Sequence, residues 1–136
     1  MKTIWLNLPV KDIQKSKAFF KAIGFRENPI HKSASDLGSF LIGEHDFVMM
    51  LFQEETFQSF TQNNVSDTKN GTEVLINIDA QSKEEVDAFA SIVKEAGGEV
   101  FSEPAEVDSW MYTFGFKDVD GHRWSMLYMN MEKIPE

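Results

Sequence analysis

The stretch TIWLNLPVKDIQKSKAFFKAIG, residues 3–24, decides the fold. Ile4, Leu6 and Leu8 alternate with Thr3, Trp5 and Asn7, the period-two pattern of a half-buried strand. Pro9 predicts the end of that strand, because it has no N–H for a ladder. Asp12 stands at a helix N-cap position, and Ile13, Ser16, Phe19, Phe20 and Ile23 then share one helical face. Gly24 follows as the left-handed stop. The reading is one strand and one amphipathic helix.

Working outward, β-like runs follow at Phe25–Ile30, Ser39–Ile42 and Phe47–Phe52, with Gly43 to Asp46 as a hairpin connection. Glu54 to Phe60 predicts a short helix anchored by Phe57 and Phe60, and Thr61 to Gly71 is a polar linker. The order then starts again. Glu73 to Ile78 reads as a strand, and Ser82-Lys83-Glu84-Glu85 as a capping box opening a helix. Val86, Phe89, Ala90 and Val93 form that helix's apolar stripe, and Gly97-Gly98 stops it. Glu99–Ser102, Met111–Phe116 and His122–Tyr128 are the remaining strands, the last entered through an Asp120-Gly121 turn.

The expectation is therefore an α+β fold built from duplicated βαβββ modules: residues 1–53, a linker at 54–71, a second module at 72–130 and a tail at 131–136. Leu6-Asn7-Leu8 aligns with Val74-Leu75-Ile76 at an offset of 68 residues, and Met50 with Ser125 at an offset of 75. One helix covers only one face of each small sheet. The two bare faces are expected to form a curved mixed sheet around a cup-shaped cavity, the whole chain acting as a single domain.

Composition narrows the function. The 136 residues carry 22 acidic against 13 basic side chains, a net charge of −9, which repels phosphate backbones and anionic lipid. Nucleic-acid and membrane partners are excluded on that ground, and cationic or aromatic small molecules are favoured. There is no cysteine, so disulfides, thiol nucleophiles and zinc ribbons are excluded. The N-terminal apolar run is broken by Asn7 and Pro9 and makes neither a signal h-region nor a membrane span, which reads as cytoplasmic.

Leu8-Pro9-Val10-Lys11-Asp12, Gly24-Phe25 and Asp118-Val119-Asp120-Gly121-His122-Arg123-Trp124, set in a duplicated βαβββ chain, resemble the vicinal oxygen chelate superfamily. That superfamily includes glyoxalase I, the extradiol dioxygenases and the bleomycin-resistance proteins. Within it the chain looks most like small bacterial proteins called predicted lactoylglutathione lyases. The resemblance implies the glyoxalase-like fold, a homodimer, and metal-ligand positions on the first and last strand of each module. Carried onto this sequence, those positions are Trp5, Met50, Glu73 and Ser125. Only Glu73 is a conventional ligand, so a resident metal is not expected. His31, His45 and His122 fall in loops and turns and do not restore a ligand set.

Strand alternation supplies a candidate binding face without metal: Trp5, Asn7, Val48, Met50, Phe52, Glu73, Leu75, Asn77, Arg123, Ser125 and Leu127. Tyr112 and Phe114 join it if the preceding strand has the same phase. Apolar walls with a few convergent polar groups are the chemistry of a small-molecule pocket. The expected function is small-molecule binding in the cup, as in bleomycin-resistance proteins. The alternative is a glyoxalase-like lyase or isomerase, or a dioxygenase, in which Glu73 is the catalytic base or joins a different divalent-metal set.

Overall fold

The computed structural model describes residues 1–136 and divides into two compact units, Met1–Asp67 and Thr68–Glu136. Each holds a four-stranded mixed sheet. The first unit consists of β1 (Leu6–Val10), α1 (Ile13–Ala22), β2 (Arg26–Glu27), β3 (Leu37–Ile42), β4 (Phe47–Gln53) and α2 (Glu54–Thr61). The second consists of β5 (Leu75–Asp79), α3 (Lys83–Glu95), β6 (Glu99–Val107), β7 (Met111–Lys117) and β8 (Arg123–Met129). Strand orders are β1-β4-β3-β2 and β5-β8-β7-β6, so the two modules share one topology. In each, the first strand pairs parallel to the last and the others are antiparallel. This is the duplicated βαβββ arrangement of the glyoxalase-like fold. No helix is long and apolar enough to cross a membrane.

In the first unit the Asp12 side chain accepts from the Lys15 N–H at 3.1 Å and satisfies an orphan donor of α1. Gly24, at φ +97°, ends the helix, with the Phe25 N–H reaching the Phe20 carbonyl at 2.9 Å. The helix buries Ile13, Phe19 and Phe20 against the sheet face that carries Leu8, Val10, Phe40, Met49 and Leu51. Phe20 holds this core together, with ring centroids 5.2 Å from Phe19, 5.5 Å from Phe25 and 5.7 Å from Phe40. Lys17 is buried beside the core, where its ammonium donates to the Ala34 carbonyl at 3.2 Å and lies 3.6 Å from Glu27.

In the second unit Ser82 caps α3 by accepting from the Glu85 N–H at 3.1 Å. The Glu85 carboxylate accepts from the Gln81 N–H at 2.6 Å, one residue earlier than the expected reciprocal partner. Val86, Ala90 and Val93 are buried as the stripe predicts. They cover Phe114, Phe116, Trp124 and Met126, with Phe89 6.2 and 6.0 Å from the rings of Phe114 and Phe116.

Four expectations are corrected. Pro9 lies inside β1 rather than ending it; β1 is an edge strand paired on one side only, where a missing N–H is tolerated. The run from Phe25 to Ile30 keeps only Arg26–Glu27 as strand. Pro29–His31 turn into one 3-10 turn whose Ile30 N–H is held by the Asn28 side chain at 3.2 Å. Glu73 precedes β5, which begins at Leu75. β6 runs on to Val107, with register shifts on either side of Ser102 that absorb Pro104. The tail also holds one 3-10 turn, Met131–Lys133.

The turn between β7 and β8 is organised by one buried carboxylate. Asp118 Oδ1 accepts from the N–H groups of Asp120 and His122, both at 3.0 Å, and Oδ2 accepts from Trp124 Nε1 at 3.1 Å. Gly121 adopts φ +87°, and a Cβ there would collide with Thr68, whose hydroxyl donates to the Asp120 carbonyl at 2.8 Å. Burial is the main influence on Asp118 and raises its pKa above the ordinary 3.8, although His122 and the Trp124 and Asp120 N–H bonds oppose it.

The folded chain thus holds this proton more tightly than the unfolded chain, so the group favours folding most below pH 3.8. That advantage is lost as the pH rises through the folded value. A carbon-detected NMR titration of the Asp118 carboxyl is expected to give a midpoint above 3.8; a midpoint at or below it rules this account out. Asp118→Ala strands three donors and is expected to cost roughly 2–4 kcal/mol in urea unfolding at neutral pH.

Candidate functional site

Because α1 and α3 each cover one sheet face, strand alternation assigns the opposite faces without further assumption. In the first unit Asn7 is exposed and pairs with half-buried Met50. Phe52, on the same face, packs edge-on against Phe60 of α2 with centroids 5.0 Å apart, so part of that face is taken up in seating α2. Trp5 precedes β1 and is 67% exposed.

The open face of the second unit is more polar and has no helix packed on it. In register, Leu75 pairs with Arg123 and Asn77 with Ser125, while Thr113 pairs with Leu127. Thr113 gives its hydroxyl proton to the Met126 carbonyl at 2.8 Å. Ser125 Oγ, 3.1 Å from Thr113 Oγ1, therefore serves as donor to Thr113 and presents only lone pairs outward. Asn77 is exposed, and its amide has no hydrogen-bond partner in the chain.

Arg123 does not meet Glu73. Its guanidinium sits 4.3 Å from the centroid of the Phe101 ring in a cation–π contact. Phe101 in turn lies directly over Gly115, where any Cβ would run into the ring. Gly115, Phe101 and Arg123 thus form a stack rising from the sheet, and glycine is required at its base by close approach. Glu73 is exposed in the bend before β5.

Tyr112 and Phe114 do not belong to this face. Phe114 is buried under α3, stacked 5.5 Å from Phe116, and the Tyr112 hydroxyl donates to Asp87 of α3 at 2.7 Å. The phase of β7 puts Thr113 and Gly115 on the open side instead. Thr113, Gly115 and Phe101 were missed from sequence. The Phe114–Phe116 pair, two large apolar residues two apart, was the available signal that these positions face the helix.

The four positions that the resemblance marks for metal ligands, Trp5, Met50, Glu73 and Ser125, hold an indole, a thioether, an exposed carboxylate and a hydroxyl hydrogen-bonded to Thr113. This donor set does not fit a divalent ion, and no group of three or more His, Asp or Glu side chains elsewhere is arranged to hold one. His31 lies in the first unit's 3-10 turn, His45 is exposed 3.3 Å from Glu44, and His122 belongs to the Asp118 turn.

Two βαβββ modules of one topology define the glyoxalase-like fold class, and known proteins share it. A family model described as Bleomycin resistance protein-like N-terminal matches residues 2–33. The structure of hypothetical protein SA1046 from S. aureus is 34% identical, covers 94% of both chains and superposes with a TM-score of 0.83. A glyoxalase/bleomycin resistance protein/dioxygenase family enzyme from Burkholderia phytofirmans is 19% identical over 92% of this chain and 96% of its own, with a TM-score of 0.76. The fosfomycin resistance protein FosX from Listeria monocytogenes, solved with Mn(II) and sulfate, is 23% identical over 97% and 94%, with a TM-score of 0.69. A search of curated proteins gave no match. The chain is thus a relative of the S. aureus protein, its residues 2–33 match a bleomycin-resistance-like family model, and its fold is that of the glyoxalase/bleomycin resistance protein/dioxygenase structures.

The Gly115–Phe101 contact makes a specific prediction. Gly115→Ala is expected to displace the ring and cost about 1–2 kcal/mol, and to cost much less in a Phe101→Ala background. Thermal unfolding of the four proteins measures the coupling; equal costs in both backgrounds would show that the ring does not sit over the glycine.

Proposed function

We propose that this protein binds a small organic molecule on the open sheet face of its second unit and does so without a resident metal ion. The observation that carries this is the face itself. Leu75 and Leu127 supply apolar surface, while Asn77, Ser125 and Arg123 supply polar groups between them, and the chain leaves Asn77 and Arg123 without hydrogen-bond partners. A sheet face serving only as core would not present such groups unpaired. The match of residues 2–33 to a bleomycin-resistance-like family model supports the reading. The donor set at the inherited positions argues against metal-assisted lyase or dioxygenase chemistry in this chain.

Asn7 and Met50 on the first unit's open face are proposed as additional ligand contacts, and Trp5 as an exposed aromatic wall. Glu73, exposed and ahead of its strand, is proposed as a rim residue rather than a catalytic base. Apolar side chains left exposed, Trp5 at 67%, Val74 at 59% and Leu75 at 57%, support assembly as a homodimer. Sedimentation equilibrium is expected to give twice the chain mass of 15.6 kDa, and a monomer would remove that part of the proposal.

The direct test is metal analysis of untagged protein together with a fragment screen by amide NMR after exhaustive chelation. Fragment binding that perturbs Asn77, Ser125 and Leu127 in the chelated protein is expected. Stoichiometric metal that disappears in Glu73→Ala, with hemithioacetal turnover abolished by chelator, would overturn the metal-free reading and restore the lyase alternative.

A further inference from the structure

Six of the thirteen Lys and Arg side chains of this chain are ion-paired, and the other lysines are exposed. Arg26 pairs with Asp46, Lys83 with Glu106, Lys94 with Glu103 at 3.0 Å, and both Lys17 and Lys21 with Glu27. Lys117, the register partner of Arg123, is held by Glu99 at 3.0 Å. Arg123 is different. It is half-buried in a strand, yet no carboxylate lies within ion-pair distance of its guanidinium, and its planar fork of N–H donors meets no protein acceptor. In a chain of net charge −9, with 22 carboxylates available, an unpaired and partly desolvated arginine is not accounted for by stability.

Its orientation is nevertheless fixed. The Arg123 Cζ sits 4.3 Å from the centroid of the Phe101 ring, and the absence of a side chain at Gly115 leaves room for the far end of that ring. A cation–π contact uses none of the guanidinium's N–H donors for hydrogen bonding, so they remain for a ligand, and a guanidinium fork is suited to bidentate contact with an oxyanion. Two residues further along β8, about 7 Å away, Ser125 presents only acceptor lone pairs because its proton is committed to Thr113.

We propose that the open face of the second unit is an organic-acid site, in which Arg123, seated on Phe101, binds a carboxylate or other oxyanion and Ser125 accepts from a hydroxyl or amine of the same molecule. The inference rests on the small-molecule reading above and adds the chemistry of the ligand. It also reverses the expectation from net charge. Net charge sets the field that a ligand meets at a distance, whereas a positioned guanidinium decides the contact.

The test uses four rigid or near-rigid probes in amide NMR titrations of the full chain: 4-hydroxybenzoate, benzoate, 4-hydroxybenzamide and tyramine. 4-Hydroxybenzoate is expected to bind best and to perturb Asn77, Arg123 and Ser125. Benzoate is weaker for want of the donor, and the neutral amide and the cationic amine are weaker still. Arg123→Gln is expected to weaken 4-hydroxybenzoate on the order of 10-fold while leaving the amide unchanged. Arg123→Lys should retain part of the affinity, and Ser125→Ala should affect 4-hydroxybenzoate but not benzoate. Amide spectra of each variant establish that it is folded, and the conservative lysine variant keeps the comparison open if the glutamine variant is not.

Tyramine or the amide binding these residues as well as the acid would overturn the organic-acid assignment while leaving a small-molecule face in place. Failure of all four probes and of a broad fragment set to perturb the face would overturn both.

Discussion

The second unit depends on where β8 begins, and that is set by the buried carboxylate of Asp118. Three N–H donors within six residues converge on its two oxygens, one of them from the indole of Trp124. A carboxylate pulled this far from water is costly unless its lone pairs are filled, and here the turn itself fills them. Closing the loop on Asp118 fixes which residue of β8 points toward α3. Trp124 goes down, stacked 6.0 Å from Phe116, and Arg123 and Ser125 must therefore face the other way. A slip of one residue would bury the arginine and expose the tryptophan.

The open face therefore inherits its chemistry from the core. Large rings on the helix side, Phe89, Phe114, Phe116 and Trp124, leave small or polar residues at the alternating positions Thr113, Gly115 and Ser125. Gly115 then admits Phe101 from the neighbouring strand, and Phe101 seats Arg123. The first unit uses the same alternation differently. Its Phe52 is engaged with Phe60 of α2, so the duplicated topology carries two faces of unlike character. Duplication of backbone has not meant duplication of surface.

Much of the fold was legible from local signals. The Asp12 and Ser82 caps, the Gly24 and Gly97 stops and the two apolar helical stripes each encode an element by contacts within a few residues, and each appears where the spacing puts it. Errors fell where local rules are overridden from outside. Pro9 is tolerated because β1 has a free edge, and β6 outlasts Pro104 by shifting register. Of the candidate site, Leu75, Asn77, Arg123 and Ser125 share one face of the sheet, since β5 and β8 alternate cleanly. Tyr112 and Phe114 depend on the phase of β7, which aromatic character alone does not give, and they lie on the other face.

The sequence by itself determined the element order and the duplication, because these are carried by residue type and short-range spacing. Only the tertiary structure decided that Arg123 rests on Phe101 and that Ser125 spends its proton on Thr113. Those partners come from other strands. Which lone pair or guanidinium edge remains for a ligand depends on cross-strand register and on a ring lying over a glycine, and neither is written in the order of neighbouring residues.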